Sequence, residues 1–126
     1  MNIPENLYYT SDHEWIKVEG NTGWVGVTDF AQHQLGDIVF VDVATVGETI
    51  AEGETFGTIE AVKTVSDMFM PLEAEVIEFN EALNNEPELI NKDPYGGGWI
   101  VKVTIADIAK LSTLLTAEQY KAQVEA

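Results

Sequence analysis

Apolar and polar residues alternate with period two through several short stretches of the chain, the pattern of strands that bury one face. Residues 13–18 put Glu14, Ile16 and Val18 on one side and His13, Trp15 and Lys17 on the other. Glu19-Gly20-Asn21-Thr22-Gly23 is turn chemistry leading into Trp24-Val25-Gly26-Val27, which predicts a hairpin. Residues 38–43 are β-branched and aromatic, a further strand. Two glycines, Gly47 and Gly53, bracket a brief strand within 45–54. Strands follow at 55–61, 64–70 and 74–79, with Pro71 interrupting the pattern between the last two. Residues 99–105 alternate again, with Trp99, Val101, Val103 and Ile105 sharing a face.

Helical signals are short and peripheral. Thr28 or Asp29 can cap a helix running to about Gln34, with Phe30 as its core anchor, and Leu35-Gly36-Asp37 ends it. Residues 80–85 and 87–90 suggest helical turns, and 91–98 are turn chemistry almost throughout. Residues 107–115 read as one short helix. Thr116-Ala117-Glu118-Gln119 then matches a capping box that opens a terminal helix, whose Ala117, Tyr120 and Val124 form a docking stripe. Trp24 and Trp99 read as sheet residues in or near the core, and Phe30, Phe40, Phe56, Phe69 and Phe79 as hydrophobic mass. Many short strands with glycine-rich turns predict a mainly β domain, a small barrel or sandwich with short peripheral helices and a C-terminal helix. No linker composition divides residues 1–126, so one domain is expected.

Composition narrows the function. The 126 residues include no cysteine, no arginine, six lysines and 22 carboxylates, a formal net charge of −16. Without cysteine there is no disulfide scaffold, thiol nucleophile or thiolate metal site. The acidity repels phosphate backbones and anionic headgroups, and no arginine can grip a phosphate bidentately, so neither nucleic acid nor membrane is an expected partner. No stretch approaches the ~20 apolar residues of a membrane span. The N-terminal MNIPENLYYTSDHEW has neither the pattern of a secretory signal nor that of a transit peptide.

Enzymatic chemistry is poorly provided for. The two histidines, His13 and His33, lie on different predicted elements and fit no metal-ligand spacing. Carboxylates are too numerous for sequence proximity to single out an acid–base pair. Nucleophile elbows, phosphate-cradling loops and dinucleotide fingerprints are all missing from the sequence. A chain of this kind is expected to serve enzymes rather than to be one.

The lysines are unevenly placed. Between Lys17 and Lys92 stands a single basic residue, Lys63, among fifteen Asp and Glu. The flanking strands nearly abut, leaving room only for a tight hairpin whose tip holds Val62-Lys63. A surface lysine that merely relieves acidity needs no such tip. A lysine awaiting acylation does, because a second enzyme must reach the amine and read a rigid shape around it. An ordinary lysine amine is almost wholly protonated near neutral pH, so the reaction needs an enzyme and an activated acyl donor.

Glu60-Ala61-Val62-Lys63-Thr64-Val65-Ser66-Asp67 resembles the lipoyl-lysine motif of the glycine cleavage system H protein family. Further stretches are similar in order: Tyr9-Thr10 with His13-Glu14-Trp15, Gly26-Val27-Thr28-Asp29-Phe30-Ala31-Gln32, Leu35-Gly36-Asp37-Ile38-Val39-Phe40-Val41, Asn80-Glu81-Ala82-Leu83, Pro87 through Tyr95, and Gly98-Trp99. The likeness covers about 7–121, with the hairpin at about 55–70. Biotin-accepting domains share the hairpin but usually carry methionine on both sides of the lysine, where this chain has Val62 and Thr64. The departures are Ala61 and Thr64 beside the acceptor, an altered turn at 43–47, and Ala74 where the family usually has glycine. If residue 74 needs a left-handed backbone, alanine there costs on the order of 1 kcal/mol.

The resemblance implies a barrel-sandwich hybrid of the lipoyl-domain type, with lipoic acid in amide linkage to Lys63. It implies recognition by the modifying enzyme through Glu60, Val62 and Thr64, and docking of the loaded arm near Glu14 and Asp67. Read without the resemblance, Glu14 is ordinary strand-surface charge. The implied partners are a pyridoxal-phosphate glycine decarboxylase, a tetrahydrofolate-dependent aminomethyltransferase, a dihydrolipoyl dehydrogenase, and a lipoate ligase or an octanoyltransferase with lipoyl synthase. The carrier would shuttle an aminomethyl group between the first two enzymes and present its reduced arm to the third. The alternatives are a relay of octanoyl or lipoyl groups to other complexes and an unmodified interaction module. A bacterial cytoplasm is the expected location, with a mitochondrial matrix as the alternative.

Overall fold

A computed structural model describes residues 1–125. Nine strands form two antiparallel sheets: β1 (Tyr8–Tyr9), β2 (Glu14–Glu19), β3 (Thr22–Val27), β4 (Ile38–Asp42), β5 (Thr49–Ile50), β6 (Thr55–Ala61), β7 (Val65–Phe69), β8 (Ala74–Phe79) and β9 (Val101–Ile105). One sheet has six strands in the order β1-β2-β3-β9-β8-β5, and the other has three in the order β4-β6-β7. Neither closes into a barrel. Four helices lie outside the sheets: α1 (Asp29–Leu35), α2 (Ala82–Asn85), α3 (Leu89–Lys92) and α4 (Ala117–Val124). No helix among the described residues is long and apolar enough to cross a membrane.

The mainly β architecture follows from the alternation. Ile16 pairs with Val25 across β2 and β3, and both enter the main core, which also takes Val41, Ile59 and Met68 from the three-stranded sheet. Alternate residues of β2 face the other way. Trp15 therefore joins Leu7, Tyr9, Ala117 and Tyr120 in a second cluster beneath α4. Gly26, opposite Trp15, makes that possible, because a Cβ there would stand 2.8 Å from the indole. The indole N–H donates to the carbonyls of Val27 and Pro94 at 3.0 and 3.1 Å. Helix α4 starts at the capping box read from the sequence: Thr116 accepts from the Gln119 N–H, and Gln119 reaches back to the Thr116 N–H.

Several local expectations are corrected. His13 stands outside β2, in a turn closed by its N–H on the Thr10 carbonyl, and is the only non-glycine residue with positive φ among those described, at 72°. Of the two capping candidates, Thr28 is the one that caps α1, as the sequence allowed. Phe30 is only half-buried, its ring 4.6 Å from that of His13, while Ala31 and Leu35 pack on the main core. Phe40 is 52% exposed. Residues 108–113 form a 3-10 helix, capped by Asp107. Trp99 precedes β9 and packs on the second cluster, whereas its neighbour Ile100 fills the main core. Ala74 carries no strain, since it lies in β8, fully buried and paired with Ile50 and Ile105, without positive φ.

Candidate functional site

The candidate site has two parts, an exposed lysine and a nearby acidic cleft. Strands β6 and β7 pair from Thr55–Phe69 up to Glu60–Val65, and the Ala61 N–H closes the tip on the Thr64 carbonyl at 2.8 Å. Val62 and Lys63 occupy the turn, and neither has positive φ, which explains how it forms without glycine or asparagine. The Val62 N–H donates to the Asp37 carbonyl at 3.0 Å, tying the tip to the segment that follows α1. Asn91 fastens that segment: its Oδ1 accepts from the Ile38 N–H, and its Nδ2 donates to the Gly36 carbonyl and to Gln32 Oε1, at 2.8–3.0 Å. The tip is therefore braced from below by backbone and side-chain bonds.

Lys63 is exposed, and its side chain runs over Gly36, where a Cβ would stand 3.4 Å from Cε and 3.8 Å from Nζ. No carboxylate pairs with it. Among the described residues the one ion pair is Lys17–Glu19, at 3.5 Å. Lys17 and Lys102 flank Trp24 across the six-stranded sheet, their ammonium groups 5.7 and 5.5 Å from its ring. Those two lysines have local partners, and Lys63 has only reach.

Beside β7 opens a cleft of about 170 Å³, lined by Asp12, His13, Glu14, Gln34, Ser66 and Asp67 over an apolar floor that includes Ile59 and Met68. Larger clefts exist, but this one joins both acids named from the sequence to the strand that carries Lys63. Asp67 is exposed at its rim. Glu14 is different: it is 3% exposed, on the same face of β2 as Ile16. Its Oε1 accepts from the Thr10 hydroxyl at 2.7 Å, and its Oε2 from the Phe69 N–H at 3.1 Å. Burial pushes the Glu14 carboxyl up to about 7, with nearby Asp12 adding to the rise, although the two hydrogen bonds oppose it. The Thr10 oxygen itself accepts from the N–H groups of Asp12 and Glu14 at 3.3 and 3.1 Å, which leaves its hydroxyl proton for Glu14.

His13 forms part of the cleft wall, and the C-terminal helix holds it. The Tyr120 hydroxyl lies 2.8 Å from His13 Nδ1 and 2.7 Å from Thr28 Oγ1, deep beneath α4. The Thr28 N–H donates to the His13 carbonyl at 3.0 Å. Burial keeps the imidazole below its ordinary pKa, although Asp12 pulls the other way. Thr10, Tyr120 and Asn91 escaped the sequence reading as site residues. Only Glu14 carried a usable signal, a carboxylate on the strand face that also bears Ile16 and Val18.

The three residues expected to be read by a modifying enzyme lie around Lys63. Glu60, Val62 and Thr64 are exposed at or beside the tip, with Val62 75% accessible. The site also fits a flexible acyl arm. Asp67 is four residues from Lys63, at most about 13 Å along an extended strand. A lysine side chain extended by an eight-carbon acyl chain spans on the order of 10 Å or more. The apolar floor suits methylenes, and the acids suit an amine at the far end.

The two-sheet domain thus holds one exposed lysine out on a braced hairpin, beside a small acidic cleft with an apolar floor, the arrangement of a carrier domain. A family model described as "Glycine cleavage H-protein" matches residues 7–126. The chain is 63% identical over 124 residues to a "Glycine cleavage system H protein" of Bacteroides thetaiotaomicron, covering 98% of each. It is 51% identical over 125 residues to a protein of the same name from Halothermothrix orenii, covering 99% of this chain and 98% of that one. A crystal structure of a glycine cleavage system H protein from Mycobacterium marinum superposes with a TM-score of 0.88 at 40% identity, covering 98% of this chain and 100% of that one. The chain belongs to the glycine cleavage H-protein family.

Proposed function

We propose that this protein is the lipoyl carrier of a glycine cleavage system, with Lys63 as the acceptor. The observation that supports the reading best is the isolation of Lys63: exposed, unpaired and held on a braced tip beside a cleft of matching reach. Lipoic acid in amide linkage to Lys63 would supply a redox-active disulfide able to accept an aminomethyl unit. The chain's own residues bind and position the arm. Ile59 and Met68 offer apolar contact along it, while Glu14 and Asp67 face the end that would carry an amine. Exposed Asp67 acts as a screened surface charge. Glu14, desolvated, interacts strongly with an ammonium group when ionised, and an approaching ammonium favours that ionised form.

In this reading a pyridoxal-phosphate glycine decarboxylase loads the carrier, and a tetrahydrofolate-dependent aminomethyltransferase unloads it. A dihydrolipoyl dehydrogenase restores the disulfide. A lipoate ligase, or an octanoyltransferase with lipoyl synthase, installs the arm, reading Glu60, Val62 and Thr64. The whole chain acts as one carrier unit with no acid–base chemistry of its own, in the cytoplasm of a bacterium. Tethering keeps the group at high effective concentration around each partner site.

The test is glycine-dependent reduction of the lipoylated protein by the decarboxylase, followed by free-thiol titration. One free thiol per chain is expected, appearing only with glycine and decarboxylase together, with a second appearing only when the aminomethyltransferase and tetrahydrofolate are added. A lipoylated protein that stays oxidised under these conditions and still passes its acyl group to other acceptor domains would instead be a relay.

A further inference from the structure

The surface immediately behind the hairpin tip is unusual for so acidic a protein. In the three-stranded sheet Phe40 pairs with Glu60, and Glu60 pairs with Val65, so the three form a row across β4, β6 and β7. All three are exposed, Phe40 by 52% and Val65 by 64%. The register of β4 against β6 shifts between Ile38 and Phe40, a bulge that leaves both Val39 (46% exposed) and Phe40 facing water. Bulges commonly re-aim side chains beside functional sites. With Val62 at the tip, this makes an apolar collar next to Lys63. Apart from Lys63, the charges named at and around it are acidic: Glu60 within the row, and Asp37, Asp42 and Asp67 beside it, all exposed.

We infer that the row Phe40–Glu60–Val65 is the docking surface for the enzyme that acylates Lys63, and that this enzyme offers an apolar pocket for Phe40 rimmed by basic side chains. The inference rests on the reading of Lys63 as acceptor. The choice among partners follows from distance. In acylation the amine attacks the carbonyl of an acyl adenylate: the N–C bond forms, the acyl C–O bond to phosphate breaks, AMP leaves and the nitrogen loses a proton. The donor carbonyl must therefore reach Nζ itself, and the enzyme body necessarily covers the sheet next to the tip. Enzymes that act on the far end of the arm can draw it extended into their own sites, on the order of 10 Å or more from Nζ, and so do not have to cover this row. Charge complementarity sets the rim, because an acidic collar attracts basic partners and repels acidic ones. Within the row, the aromatic side chain is the natural anchor.

The experiment measures acylation of the full unmodified chain by a lipoate ligase supplied with lipoate and ATP, read as intact mass against time over a range of acceptor concentrations. Phe40→Ala is expected to raise the acceptor KM about 10-fold with kcat changed less than about 2-fold. Val65→Ala is expected to raise it less, and both variants should keep the wild-type thermal midpoint. Val46→Ala and Ile77→Ala, at apolar positions 49% and 40% exposed away from the hairpin, serve as controls and should react as wild type. Once driven to full lipoylation at high concentration, Phe40→Ala should be reduced by the glycine decarboxylase at the wild-type rate. Wild-type acylation kinetics for both Phe40→Ala and Val65→Ala would overturn the docking row. An equal defect in the decarboxylase step would overturn its assignment to the acylating enzyme. Failure of the wild-type chain to be acylated at all would be seen before any variant is compared, and would remove the carrier reading itself.

Discussion

Lys63 and Glu14 are the two side chains on which the proposed function turns, and the fold treats them oppositely. Lys63 is held out in water on a two-residue tip, with no charged partner among the described residues. Glu14 is 3% exposed, bonded through both carboxyl oxygens and pushed up to about 7. The difference matches the two tasks. An attachment point must be entered by another enzyme, so the fold fixes its backbone and leaves its side chain free. A docking point must compete with water for an amine, so the fold removes water from it at a cost in stability.

The comparison breaks most sharply at the lysine. Lys63→Arg keeps the charge and the exposed position but cannot form the acyl linkage. It is expected to abolish decarboxylase-dependent exchange of glycine carboxyl carbon, while stability in urea changes by no more than about 0.5 kcal/mol. Substituting Lys17 or Lys102, each set over Trp24, should leave that exchange intact.

At the carboxylate the expected effect is on pH dependence. The folded pKa of Glu14, about 7, lies above that of the unfolded chain. The native state therefore binds more protons, and stability falls as pH rises through the window from about 4.5 to 7, then levels off. The full span is on the order of 3 kcal/mol. Glu14→Gln removes the titrating proton and keeps an amide oxygen that can accept from the Phe69 N–H. It should flatten this fall in urea titrations across the window and leave the variant more stable than wild type at pH 8. The loaded arm should also dock less firmly, seen as sharper arm resonances in NMR. An unchanged pH profile would show that Glu14 is not the buried group responsible.

Smaller effects sharpen the link between the cleft and α4. Tyr120→Phe removes the hydroxyl shared by His13 and Thr28 and leaves the buried Thr28 with one partner fewer. A loss of about 1–2 kcal/mol is expected from thermal unfolding, together with a changed imidazole environment at His13. Thr116→Ala removes only the capping box and should cost about 1 kcal/mol, leaving the His13 signal unmoved.

Much of this was legible in the residues. The spans of β6 and β8, the β2–β3 hairpin, the Lys63 tip and the α4 cap all come from short-range patterns, which local physics specifies. What was not legible depends on distant neighbours. Phe40 looks like core in a β-branched run, and only the bulge against β6 turns it to water. Phe30 looks like an anchor, yet His13 in its left-handed turn gives it a partner outside the main core. Asp67 and Glu14 are 53 residues apart and line one cleft, where the Phe69 N–H from the strand of Asp67 donates to Glu14. Strand alternation did contain the hint that Glu14 shares the face of Ile16, but a single carboxylate on an apolar stripe does not say whether it is buried or frayed.

The central claim, that Lys63 alone accepts the arm, is tested most directly by peptide mass mapping of the protein after reaction with lipoate, ATP and a lipoate ligase. The account predicts one lipoyl group per chain, on the peptide containing Lys63 and absent from those containing Lys17, Lys92, Lys102, Lys110 and Lys121. Formal charge would then move from −16 to −17. No added mass, or lipoylation spread over the other lysines, would contradict it.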